Sequence, residues 1–254
     1  MNFLNNKRVR FWLISLILPF LMLAVWKSAD LLGMLKPYTM PPPEKVISTA
    51  IEMTKDGSLQ KHIISSIILV LEGFFLALGA AFVIGIAIGL SKRVEAFFEL
   101  TLQIFKPIPP IAWIPLAILW FGIGAESKIY IIFVGAFFPI LLNVVDGIHN
   151  IDSRYFELAK VYETPKLKFI LKAVLPGALP QIMTGIRVGL GNAWICVVAA
   201  EMIAAMVGVG YMLTYGRSLS RPDMVILGML LIGIIGKIMD DILKYLTEKL
   251  IKWA

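Results

Sequence analysis

Apolar runs of bilayer length recur along this chain, and the longest, Ile63 to Leu90, contains Glu72 as its only charged side chain. An α-helix rises 1.5 Å per residue, so about 20 apolar residues cross a hydrocarbon core of roughly 30 Å. Backbone groups find no water in that core, and a single apolar run satisfies its own N–H and C=O groups only as a helix. The runs therefore predict an all-α integral membrane protein with about six transmembrane helices, near residues 11–26, 63–90, 108–121, 128–146, 179–207 and 224–243, in one domain covering residues 1–254. Composition points the same way. The chain is 59% hydrophobic and 16% charged, whereas soluble domains run at about 45–50% and about 25%.

The formal charge of +7 is spread over every polar segment, not gathered into a basic stripe with interleaved aromatics, so no nucleic-acid partner is expected. Cys196 is the only cysteine and lies in an apolar run, which leaves no internal disulfide and no cysteine metal site. His62 and His149 are too far apart to form a local ligand pair. Lys7, Arg8 and Arg10 precede the first apolar run as in a signal peptide, but Trp26 to Asp30 is bulky and charged where a cleavage site needs small residues. An uncleaved first helix is expected.

Pro41, Pro42 and Pro43 form a stiff spacer before a short amphipathic helix from Glu44, whose spacing suits the membrane surface. Gly85 and Gly89 make a small-xxx-small pair for close helix packing. A charge near mid-span costs roughly 2.5–3.5 kcal/mol on insertion scales, so Glu72 should face protein or water. Pro107, Pro109, Pro110 and Pro115 forbid a regular helix around Trp113. With the amino terminus inside, Lys and Arg are more numerous in the segments on the cytoplasmic side, which also receives the carboxyl terminus.

Residues 148–177 then fall on the cytoplasmic face. Asp152 is a good N-cap for a helix through Glu157, with Tyr155, Phe156, Ala159 and Tyr162 on its apolar side. Thr164 and Pro165 are expected to cap and restart the helix. Leu167, Ile170, Leu171 and Val174 should face the core, Leu175-Pro176-Gly177 should end the second arm, and Phe169 should stand exposed beside Lys166 and Lys172 unless a partner covers it. This two-armed bracket suits a docking surface that transmits motion.

The segment resembles the Glu-Ala-Ala loop of permease subunits of ATP-binding-cassette importers. That pattern is Glu-Ala-Ala, three residues, Gly, nine residues, Ile, one residue, Leu-Pro. Glu157, Ala159, Leu175 and Pro176 match; Leu158, Glu163 and Ala173 replace an alanine, the glycine and the isoleucine. With Glu163 in place of glycine, Thr164-Pro165 is expected to make the bend. Pro109 to Ala117, Trp120 to Gly124, Leu179-Pro180, Thr184 to Arg187 and Ala200-Glu201-Met202 are similar to permeases of the nitrate/sulfonate/taurine class.

The resemblance implies a type I importer of the prokaryotic cytoplasmic membrane: a homodimer of this chain, two cytoplasmic ATP-binding subunits and an extracytoplasmic substrate-binding protein. Glu157, Leu158, Ala159, Tyr162, Phe169, Leu175 and Pro176 would couple to the ATPase. The candidates for the translocation path are Trp113, Arg187, Trp194, Glu201 and Met202. A helix places Arg187 and Glu201 about 21 Å apart, so each needs its own partner or water, and Arg187 either receives an anion, snorkels toward the inner interface or pairs with another helix. No cofactor, metal or catalytic group is expected in this chain; ATP and Mg would bind the partner. Its one Gly-Lys pair, Gly236-Lys237, lacks the rest of a phosphate-binding loop. The implied solute is a small anion of sulfonate, taurine or nitrate type, with bicarbonate or a vitamin precursor as alternatives. An embedded enzyme would need clustered acids or histidines within the spans, and a passive channel would need no cytoplasmic bracket.

Overall fold

A computed structural model describes residues 7–36 and 38–251, and these are helical almost throughout. The elements are α1 (Lys7–Leu31), α2 (Pro43–Lys55), α3 (Ser58–Leu90), α4 (Lys92–Phe105), a 3₁₀ turn (Pro110–Trp113), α5 (Ile114–Phe121), α6 (Ala125–His149), α7 (Ser153–Val161), α8 (Lys166–Phe169), a π turn (Ile170–Val174), α9 (Leu175–Ala204), α10 (Val209–Ser218) and α11 (Pro222–Leu250). The end of the basic tail, residues 252–254, lies outside the described residues.

Among the described residues four helical stretches are long and apolar enough to cross a membrane: Ile14–Leu31, Ser58–Leu90, Ala125–His149 and Lys166–Ala204. A fifth appears if α4 and the segment Pro110–Phe121 count as one broken crossing, bent by 85°. The expected third span at 108–121 is thus a 3₁₀ turn followed by a short helix, and the residues before it, 92–105, form α4. Pro107, Pro109 and Pro110 remove the donors that would join the two pieces. Pro115 is tolerated because it sits in the first turn of α5, where its N–H would have no partner. The expected last span lies within α11, which carries Lys237, Asp240 and Asp241 in its apolar run.

Contacts divide the chain into two units, one made of the residues up to Gln60 with Met212–Leu230, the other of Lys61–Tyr211 with the residues from Leu231 onward. In the first, Pro43 opens α2 at the position that proline suits. Val46, Thr49 and Met53 make its buried face, while Ile47 and Ile51 point out. Thr49 donates to Asp223 at 2.6 Å, and Arg221 meets the same carboxylate at 2.8 Å. Lys27 reaches Glu44 at 2.8 Å and, by that hydrogen bond, holds the Glu44 carboxyl below its ordinary range.

In the second unit α6 is the central post. Ile131, Ile132, Ile140, Leu141, Val144 and Ile148 on it are essentially inaccessible. Helix α3 approaches along Gly85 and Gly89, where an added Cβ would come within 2.7 Å of Val144 and 2.8 Å of Ile148. Helix α9 approaches from another side, and a Cβ at Gly189 would lie 2.6 Å from Ile140 Cγ1. Close approach replaces the hydrophobic drive that lipid does not supply. Overpacking of a tight core costs about 1–3 kcal/mol, so Gly189→Val should lower the thermal midpoint of the detergent-solubilised chain. Gly191→Ala, where an added Cβ meets nothing within 4 Å, should leave the midpoint unchanged.

Candidate functional site

The bracket between α6 and α9 is built as the local chemistry dictates at its start and departs from expectation further on. Asp152 caps α7, its carboxylate accepting from the Arg154 N–H at 2.9 Å. After Val161 the chain makes a Schellman turn. Glu163 N–H donates to Lys160 O at 3.1 Å, Thr164 N–H donates to Ala159 O at 2.9 Å, and Glu163 has φ +46°. This is the left-handed position that glycine usually takes. The bend therefore sits at Glu163 itself, at the motif's glycine position, and not at Thr164-Pro165; Pro165, not Thr164, precedes α8 as its N-cap.

The second arm does not end at Leu175-Pro176-Gly177. Lys166–Ala204 is one uninterrupted helical stretch of 39 residues. Pro176 has no N–H to give to the preceding turn, and the π turn at Ile170–Val174 widens the helix immediately before it. Leu175 and Pro176 are half-buried at the start of α9.

The inward face of this arm also differs from the expected one. Phe169 is half-buried, packed edge-on against Phe156 with centroids 5.2 Å apart, and Val174 is fully buried. Leu167 and Leu171, expected inside, are exposed. Together with Tyr155, Leu158, Val161 and Tyr162 they leave the bracket with an apolar outer surface, the kind that marks an interaction site when contiguous. Glu157 is exposed on α7 and Ala159 is half-buried. Between the arms lies a groove of about 590 Å³ lined by Leu90, Phe156, Ala159, Lys160, Glu163 and Phe169 among others.

The five candidate path residues do not form one cluster, although Arg187 and Trp194 border the same small cavity. Arg187 forks onto Asp240 of α11, Nε to Oδ1 and a terminal nitrogen to Oδ2 at 2.6 Å. Asp240 was the missed partner, and an acid inside an apolar run was the signal for it. Trp194, 4% exposed, donates to Ile232 O at 3.0 Å and borders, with Arg187 and Asp240, a cavity of about 40 Å³. Trp113 stacks on Phe105 and meets Tyr130 edge-on, and its Nε1 is buried with no hydrogen-bond partner. Met202 is exposed at the far end of α9.

Glu201 is 1% exposed and organises the break between α9 and α10. Ser66 of α3 donates to its carboxylate at 2.7 Å, and Gly210 N–H donates to it at 2.9 Å. Ser66 in turn accepts from Val209 N–H at 2.9 Å, and His62 Nδ1 accepts from Gly208 N–H at 3.0 Å. The free N–H groups that begin α10 are thus capped by side chains of α3 and α9. Gly208 has φ +130°, and a Cβ there would lie 2.2 Å from the Glu201 carboxyl carbon. Ser66, His62 and Gly208 carry no local motif that reveals this role.

Membrane-length helices joined by an amphipathic two-armed bracket are the arrangement expected of a transport permease. The chain belongs to the family described as binding-protein-dependent transport system inner membrane component, whose profile matches residues 73–252. It is 38% identical to the putative aliphatic sulfonates transport permease protein of Bacillus subtilis, over 95% of this chain and 88% of that one. It is 32% identical to the taurine transport system permease protein of Escherichia coli, over 91% and 86%. The bicarbonate transport system permease protein of Synechococcus elongatus is 31% identical, over 78% and 71%. A chain of the methionine ABC transporter MetNI in an inward-facing conformation shares the fold, with a TM-score of 0.54 and 20% identity over 72% of this chain and 94% of that one. The protein is a permease of the nitrate/sulfonate/taurine class of ABC importers and is integral to the inner membrane.

A left-handed conformation costs a side-chain-bearing residue about 1–2 kcal/mol that glycine does not bear. Glu163→Gly should therefore stabilise the bracket, read as slower amide exchange at Glu163 and Thr164, while Glu163→Val should accelerate it.

Proposed function

We propose that two copies of this permease form the translocation path of an ATP-driven importer for a small oxyanion. In this reading two cytoplasmic ATP-binding subunits carry ATP and Mg, an extracytoplasmic protein delivers the solute, and both termini face the cytoplasm. The whole chain acts as one permease domain, with α11 as a further crossing. The names of the relatives support sulfonate, taurine or bicarbonate as the kind of solute.

The observation that carries the mechanism is the continuity of the bracket with α9. A stretch of 39 helical residues is about 58 Å long, and it joins the exposed apolar surface at Leu167 and Leu171 to the Glu201 cluster. Closure of the ATPase pair displaces the bracket, α9 carries the displacement along α6, and the α9–α10 break moves with Glu201. The path then opens outward to the loaded binding protein, and hydrolysis resets it. Glu157, Leu158, Ala159 and Tyr162 make the docking contact, Phe169 braces it from inside against Phe156, and Leu175 and Pro176 join it to α9. Arg187 and Asp240 neutralise each other and hold α9 to α11, so direct capture of the anion by Arg187 is not part of this mechanism. Trp113 and Met202 remain candidates for the path lining.

The test is binding-protein-stimulated ATP hydrolysis by the assembled complex in proteoliposomes. Loss of an interface anchor typically costs 2 kcal/mol or more, so Glu157→Arg combined with Leu158→Asp should reduce stimulation by at least about tenfold. Unchanged stimulation would contradict the docking surface.

A further inference from the structure

A cleft of about 370 Å³ opens between the turn that joins α5 to α6 and the end of α9, bordered by Ile123, Gly124, Lys128, Ile203 and Met206 among others. A second, smaller recess lined by Ile114, Ile118 and Ile131 also reaches Lys128. Lys128 is the only charged side chain lining either one. Among the described residues it makes no hydrogen bond and no ion pair.

Neither its place on the helix nor its neighbours supply Lys128 with a counter-charge in hydrogen-bond range. Lys128 lies in the first turn of α6, where the helix dipole disfavours a cation. The carboxylates around it are otherwise engaged or offset. Glu201 is within reach of its field but is already bound to Ser66 and Gly210. Glu126 makes no ion pair with Lys128 either, its Oε2 lying 2.8 Å from where a Cβ on Gly124 would sit. A half-buried lysine among isoleucines, with room beside it for a small molecule, has no carboxylate within hydrogen-bond range.

We propose that the Lys128 cleft binds a small oxyanion solute, a sulfonate or carboxylate, with the ammonium taking the charged end and Ile123, Ile203 and Met206 the apolar remainder. This rests on the importer reading and deepens it. It places a contact for the transported solute at the end of α9 beside the Glu201 cluster, so the displacement carried by α9 reshapes one wall of the cleft. A lipid phosphate offers the same chemistry, and the experiment separates the two sources.

Reductive ¹³C-methylation of the purified full-length chain in nonionic detergent labels each lysine while keeping its charge, and Lys128→Arg assigns the Lys128 signal. Ethanesulfonate should shift that signal saturably, whereas chloride at equal ionic strength should not. Calorimetric affinity for ethanesulfonate should fall by about tenfold or more in Lys128→Gln and be retained in Lys128→Arg. An absent shift in the unmutated chain, or the same shift with chloride, overturns the site; it would leave Lys128 as a remote counter-charge to Glu201. In nanodiscs, a shift caused by phosphatidylglycerol relative to phosphatidylcholine and insensitive to ethanesulfonate overturns the solute in favour of lipid. Failure of ATPase stimulation alone would sink the importer reading and leave an observed ethanesulfonate site standing.

Discussion

Hydrocarbon offers a backbone N–H no water, so every place where a membrane chain stops being helical must bring its own partners. That requirement explains the distribution of polar side chains in this protein. Where α9 breaks before α10, three successive amides, Gly208 to Gly210, are met by His62, Ser66 and Glu201. At Pro107 to Pro115 four prolines remove donors instead, so fewer amides need a partner at the bend. At the bracket the Schellman hydrogen bonds of Glu163 and Thr164 close α7. Among the described residues, buried Ser127, Glu201 and Asp223 each lie in the first or last turn of a helix.

The same logic makes α9 mechanically distinct. Pro176 and Pro180 both fall within its first turns, yet the helical stretch runs on from Lys166, because the π turn before Pro176 absorbs the misfit. Glycines at the α6 interface let it lie close to a rigid post. At one end the stretch exposes the apolar side chains Leu167 and Leu171; at the other, its last turn supplies Glu201. On the proposed mechanism, a displacement at the bracket would travel along this continuous helix.

Much of this was legible from sequence because it follows from periodicity and local capping. Of the six expected crossings the apolar runs matched four long apolar helices, the third being a bent pair and the sixth lying in α11, outside the candidate spans; Asp152 predicted the start of α7, and Gly85 and Gly89 predicted close packing, realised against Val144 and Ile148. The motif spacing singled out the bracket. What escaped was whatever depends on a backbone register or on a distant partner. Phe169 turned inward and Leu167 and Leu171 outward because the face of a short arm is set by how its preceding turn closes, and Glu163 adopted a conformation that side chains rarely take. Pro176 read as a stop because a π turn has no sequence signature. Asp240 and Ser66 lie 53 and 135 residues from the groups they hold, a separation no local pattern bridges.

The central claim is that motion at the bracket reaches the Glu201 cluster through α9. Amide hydrogen exchange across residues 153–174 and 205–210, measured on the assembled importer with a hydrolysis-deficient ATPase, tests it most directly. On addition of ATP the account predicts a change at Val209 and Gly210 together with the change at the bracket. Ser66→Ala, which removes one holder of the break, should weaken the response at Val209 and Gly210 and leave that at the bracket intact. An ATP response confined to the bracket, with Val209 and Gly210 unaltered, would contradict the account.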